Sequence, residues 1–115
     1  FEFLKNRCNI KKYDLKDFHR GWLIGDFSPS LLRTKDFEVG YLLHPKGELW
    51  DVHYHDKLKE FNILVKGKMI INGMEINEND VFVFEEKQIA CPIFLEDCHI
   101  VCIKVPSIPN DKIIL

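Results

Sequence analysis

Two histidines at alternate positions, His53 and His55, are followed five residues later by Glu60 in the stretch ELWDVHYHDKLKEFNILVKG, Glu48 to Gly67. Imidazole nitrogens and a carboxylate oxygen are ordinary protein ligands of divalent cations. Two histidines with one carboxylate make a facial set, typical of non-haem iron and compatible with manganese, zinc or nickel, that leaves positions open for substrate or oxygen. A cation held this way acts as a Lewis acid on a carbonyl or hydroxyl. If Leu49–Tyr54 is extended, alternation sends both imidazoles to one face of a sheet. A second strand starting near Glu60 and returning after the short connection DKLK then brings the carboxylate beside them, as a hairpin. The same alternation permits the reverse arrangement. Trp50, Val52 and Tyr54 form a rival apolar face, and spacing alone leaves His53 and His55 as cavity polars or as surface groups.

The rest of the chain reads as strands that could build such a site. Turn signals recur at short intervals (SPS at 28–30, HPKGE at 44–48, KGK at 66–68, NG at 72–73, NEND at 77–80), and short runs rich in Val, Ile and Phe lie between them: FEVGYLL, FNILVK, MIIN, MEIN, VFVF and HIVCIKV. That rhythm indicates an all-β sandwich or barrel. Asn72-Gly73 suits a type I′ turn and predicts a two-residue hairpin. A helix is expected only near the N-terminus, and YDLKDF (13–18) reads as a turn. At 115 residues the chain is long enough for one domain, 1–115, with a real core.

The Glu48–Gly67 region, extended by one residue to Gly47, resembles the first motif of the cupin superfamily: Gly, five residues, His-x-His, three or four residues, Glu, six residues, Gly. Gly47, His53, His55, Glu60 and Gly67 stand at every fixed position. The resemblance implies a cupin-type antiparallel jelly-roll β-barrel (double-stranded β-helix) over about residues 37–105, flanked by N- and C-terminal strands, with the site inside. The second cupin motif is degenerate. Its histidine, a further metal ligand in the family, falls on Ala90, which cannot coordinate, and NDVFVFEEKQIA keeps only Asp80 and the VFVF strand. The flanks RGWLIGDFSPSLLRTKDFEVG and IKVPSIPNDKIIL resemble a group of short cupin-domain proteins in which the second-motif histidine is commonly absent.

Other side chains could complete the site. Asn62, two residues after Glu60, shares its face and is the candidate substrate hydrogen-bonder. If Lys104 faces solvent, His99, Val101, Ile103 and Val105 point inward, and His99 lines the cavity. Cys91, on the face opposite Ala90, reads as core, His19 and His44 as exposed turn residues, and Trp22 and Trp50 as anchors of the barrel or of a subunit contact.

Composition narrows the setting. The apolar share is 46%, the charged share 30% and the formal net charge −2, which gives no reason to expect nucleic acid or an acidic membrane as a partner. No apolar run approaches the roughly 18 residues of a membrane span. FEFLKNRCNIKK lacks a secretory signal's pattern, and a start at Phe1 rather than Met points to something upstream. Four cysteines without a C-x-x-C read as reduced structural thiols in a cytoplasmic protein. Two functions fit. One is a metal-dependent enzyme of isomerase, epimerase, lyase or oxygenase type acting on a sugar-like molecule, with a metal-free isomerase working through His55 as a variant. The other is a non-catalytic small-ligand (carbohydrate) binding or sensing protein. The apolar end IIL is expected as an extra strand or a crossing to a second subunit, and a homodimer through Trp50 and Val52 is expected.

Overall fold

A computed structural model describes residues 2–115 of the chain. It opens with a short helix, α1 (Glu2–Cys8). One 3-10 turn (Leu15–Asp17) follows, capped reciprocally by Asp14 and Asp17, so YDLKDF is indeed a turn. Among the described residues there are then ten strands: β1 (Trp22–Ile24), β2 (Glu38–His44), β3 (His53–Tyr54), β4 (Lys59–Lys66), β5 (Met69–Ile71), β6 (Met74–Ile76), β7 (Val81–Phe84), β8 (Pro92–Phe94), β9 (Cys98–Val105) and β10 (Ile113–Ile114). No described helix is long and apolar enough to cross a membrane.

The strands form two facing layers with antiparallel pairing throughout. One layer is a five-stranded sheet in the order β1-β2-β9-β4-β7. The other combines the β6-β5-β8 sheet with the β10-β3 pair, joined by an antiparallel bridge from His53 to Ala90, just ahead of β8. This is the expected all-β jelly roll. Asn72 and Gly73 both take positive φ (52° and 79°) between β5 and β6, so the Asn-Gly hairpin is present. The terminal Ile113–Ile114 is an extra strand, pairing with β3.

Alternation within β4 and β9 divides the barrel interior. At one end Leu64, Cys98 and Ile100 pack against Met69, Ile71, Ile76 and Phe94 of the opposite layer in a dry core. Toward the other end the same inward rows continue as Asn62 and Glu60 on β4 and as Cys102 and Lys104 on β9, with Asn62 opposite Cys102 and Glu60 opposite Lys104 in the ladder. The apolar end closes the barrel, and the polar end opens into a cavity.

Three expectations are corrected here. First, β3 and β4 are not a hairpin: β3 pairs with β10, while β4 pairs with β7 and β9. The DKLK connection crosses from one layer to the other, pinned by Leu58, which is fully buried. Second, the parity of β9 is the reverse of that expected. Cys98, Ile100 and Cys102 are buried and Ile103 and Val105 are exposed, because Lys104 turns inward at the barrel mouth and lays its ammonium over the Trp22 ring, 4.6 Å from the centroid. Third, Cys91 is exposed rather than core, while all four cysteines are free and Cys98 and Cys102 are buried.

Candidate functional site

His53 and His55 sit on the inner face of the second layer, 7% and 8% exposed. Glu60 and Asn62 face them from β4, and all four line one cavity of about 550 Å³. Each imidazole is held from behind. His53 Nδ1 donates to the Asp51 carbonyl at 2.8 Å, and His55 Nδ1 donates to the carbonyl of Asp111 in the C-terminal segment. A carbonyl can only accept, so both rings carry the Nδ1 proton there and turn Nε2 to the site, as metal-ligating histidines do. His55 Nε2 lies 3.2 Å from Glu60 Oε2, and the two imidazole centroids are 5.3 Å apart. The Asp111 carboxylate meanwhile accepts from the backbone N–H groups of Asp56 and Lys57. The C-terminal segment thus fixes both the ring of His55 and the crossing that follows it.

Burial sets the electrostatics. It lowers His53 below the ordinary imidazole value; nearby Lys112 and His55 push the same way, against the Asp51 carbonyl and Glu60. A neutral His53 has an open lone pair at Nε2. For Glu60, burial alone would raise the carboxyl, but the His55 hydrogen bond, the Lys104 ammonium, the charge on His55 and the Cys102 thiol outweigh it and hold it at about 2. Cys102 donates to Glu60 Oε1 at 3.3 Å, and burial first, then the Glu60 charge, pushes that thiol well up. It serves as a hydrogen-bonding wall rather than as a nucleophile. Asn62 is 4% exposed, and its Nδ2 has no hydrogen-bond partner. A buried amide donor without a partner costs about 1–3 kcal/mol, a cost that a ligand oxygen in the cavity would remove.

The donor chemistry fits a divalent cation: two imidazoles anchored through Nδ1, with a charged carboxylate against one of them. Among the described residues, no three His, Cys, Asp or Glu side chains already close into a metal-binding group. Ala90, where the resemblance places a further histidine, is bridged to His53 through the backbone and presents only a methyl to the cavity.

His99 does not line the cavity. With the parity of β9 reversed it lies on the outer face, its Nδ1 3.1 Å from the Tyr41 hydroxyl. His44 is a cavity residue rather than an exposed one, its ring stacked on Phe94 at 4.5 Å and bonded to Glu48 at 3.0 Å. His19 is exposed, as expected. Trp50 turns inward, half-buried against the core, and is not an outer contact residue. Sequence reasoning missed Lys104, Lys112 and Arg20, which stand around the cavity. The one usable signal for Lys104 is that the face it shares with Ile100 and Cys102 is otherwise apolar, whereas the alternate face carries His99, so Lys104 alone does not set which face is inner.

No family model matches the chain. No curated protein matches it either. Solved structures do. KdgF from Halomonas sp. is similar over 67% of this chain and 74% of its own, with TM-score 0.59 and 18% identity. Bacterial pirin YhhW from Escherichia coli, in complex with nickel(II), is similar over 76% of this chain, which spans 39% of the pirin, with TM-score 0.62 and 17% identity. An uncharacterised conserved protein with a double-stranded β-helix domain from Klebsiella pneumoniae aligns over 90% of both chains, with TM-score 0.64 and 14% identity. At such identities the shared property is architecture, and the chain has the double-stranded β-helix fold of these structures.

Proposed function

We propose that the protein is a metal-dependent enzyme acting on a small oxygenated, sugar-like molecule inside the barrel. The observation that carries this reading is the pair of histidines tied by Nδ1 to backbone carbonyls, with the Nε2 of His55 beside Glu60, at the wall of a cavity of about 550 Å³. His53, His55 and Glu60 would hold the cation, with iron, manganese, zinc and nickel all compatible with the set. When bound, the cation supplies Lewis-acid polarisation of a substrate oxygen. Asn62 donates its free N–H to a second oxygen, and Trp22, Leu42, Phe82 and Phe84 keep bulk water from the polar end. The nickel(II) complex of the structurally similar pirin supports a metal in this architecture.

Elemental analysis of the purified protein tests the reading. About one divalent ion per chain is expected, lost in the His53→Ala, His55→Ala double variant with the fold retained by circular dichroism. Absence of metal together with retained carbohydrate binding would instead establish the second reading, a binding or sensing barrel. That reading is favoured by Ala90, which withholds the further imidazole. We propose a cytoplasmic location from the small number of cysteines and the lack of a C-x-x-C pair.

A homodimer remains the expected assembly, through a different surface from Trp50 and Val52. The outer face of the five-stranded sheet carries Phe61, Val65, Val81, Val83, Ile103 and Val105, each at least 38% exposed. Adjacent rows of this kind, Phe61 lying beside both Val83 and Ile103, make an apolar patch that soluble monomers rarely leave open. The Val83→Lys, Ile103→Lys variant should sediment as a monomer where the parent is a dimer; a monomeric parent at micromolar concentration removes the proposal.

A further inference from the structure

The described structure holds six ion pairs, and none involves the three cations gathered around the cavity. Lys104 lies over Trp22. Lys112 and Arg20 both lie against Trp50, with Lys112 Nζ 4.4 Å and Arg20 Cζ 5.3 Å from the ring centroid. Two nearby acids are engaged elsewhere among the described residues, and Asp51, which acts on Lys112, forms no ion pair with it. Glu60, opposite Lys104 in the ladder, turns its oxygens to His55 and Cys102, and Glu48 is bonded to His44. Arg20 is held there by its backbone: it takes a left-handed φ of 55°, and the following Gly21, φ 84°, passes so close to β2 that a Cβ would meet the Tyr41 carbonyl oxygen at 2.1 Å. Backbone of this kind persists only where its surroundings impose it. Lys112 falls below the ordinary ammonium value, chiefly through burial, with Arg20 and Lys104 adding to the shift against Asp51. Three like charges at one mouth repel one another, and the aromatic faces offset only a small part of that repulsion.

Resting on the reading that this cavity is the reaction site, the geometry points to its ligand being an anion: a small oxygenated acid whose carboxylate or phosphate is taken by Lys104, Lys112 and Arg20, while its hydroxyl or carbonyl end reaches Asn62 and the His53–His55–Glu60 wall. A guanidinium matches the planar oxygen pair of either group, and the apolar walls between the cations and Asn62 accommodate a carbon skeleton. The buried, unpartnered Nδ2 of Asn62 independently calls for an oxygen at the far end.

The two tryptophans, Trp22 and Trp50, carry the cations on their faces, so intrinsic fluorescence reports anion entry directly. The protein is titrated as purified, its metal content measured on the same samples, with glucuronate, glucose 6-phosphate, inorganic phosphate and uncharged glucose. Saturable changes are expected with at least one anion and not with glucose, weakening as salt is raised. A preference for glucuronate or for glucose 6-phosphate identifies the charged group. Lys112→Gln and Arg20→Gln, at residues that are not fully buried, should each weaken the anion by about tenfold, and Lys104→Gln by at least as much if it folds. Response to glucose equal to that of the anions, no response to any anion, or unaltered affinity in Lys112→Gln and Arg20→Gln overturns the inference. Anion binding in protein that lacks metal sustains it and removes only the metal reading.

Discussion

Gly67→Ala is expected to destabilise the protein by about 3 kcal/mol, combining a left-handed backbone penalty with an overpacking penalty. Gly67 sits at φ 103°, and a Cβ there would lie 2.3 Å from the Asp97 carbonyl oxygen and 3.0 Å from Cys98 Sγ. The obstructing atom is backbone on the neighbouring turn into β9, so no rotamer change relieves it. Gly47, the other glycine of the same motif, provides the control. Its φ is 74°, but nothing lies within 4 Å of its would-be Cβ, so Gly47→Ala should cost only the conformational part, about 1 kcal/mol. Thermal unfolding of the two variants checks this, with a fall in Tm of about 10 °C or more for Gly67→Ala and a few degrees for Gly47→Ala. Equal losses would show that the steric argument is wrong.

The second large effect is expected at a residue that contributes no side chain to the cavity. Asp111→Ala removes both carboxylate bonds to the backbone of Asp56 and Lys57 and so loosens the segment whose carbonyl orients His55. Groups that orient metal-ligating histidines typically account for 10–100-fold in metal affinity or activity, and a loss of about that size is expected here with the far-ultraviolet spectrum unchanged. A readout independent of metal is the His55 Nδ1 proton. In the parent it is buried and hydrogen-bonded and should give a slowly exchanging resonance, and in the variant it should exchange into the solvent signal. Persistence of that resonance together with full metal content would refute the role given to Asp111.

Much of this arrangement was legible in the sequence, and the gaps share a cause. The Asn72-Gly73 turn, the runs that became β2, β4, β5, β6, β7 and β9, the shared face of His53 and His55 and that of Glu60 and Asn62 all follow from local spacing, because turn chemistry and the two-residue period of strands are written in adjacent residues. What escaped depends on partners distant in the chain. The pairing of β3 with β10 rather than with β4 leaves no local trace in DKLK. His99 was placed inward because a lysine was assumed to seek water, whereas Lys104 finds the face of Trp22, 82 positions earlier. His44 looked like a turn residue because its stacking partner is Phe94.

The tie between His55 and Asp111 also bears on the order in which the structure forms. During synthesis the sheet partners of β4 and β9 can pair while later residues are still inside the ribosome, but the orienting carbonyl for His55 belongs to residue 111. A nascent chain can therefore acquire most of its barrel before the ring of His55 is oriented, and that ring is fixed only when the segment carrying Asp111 docks beside it.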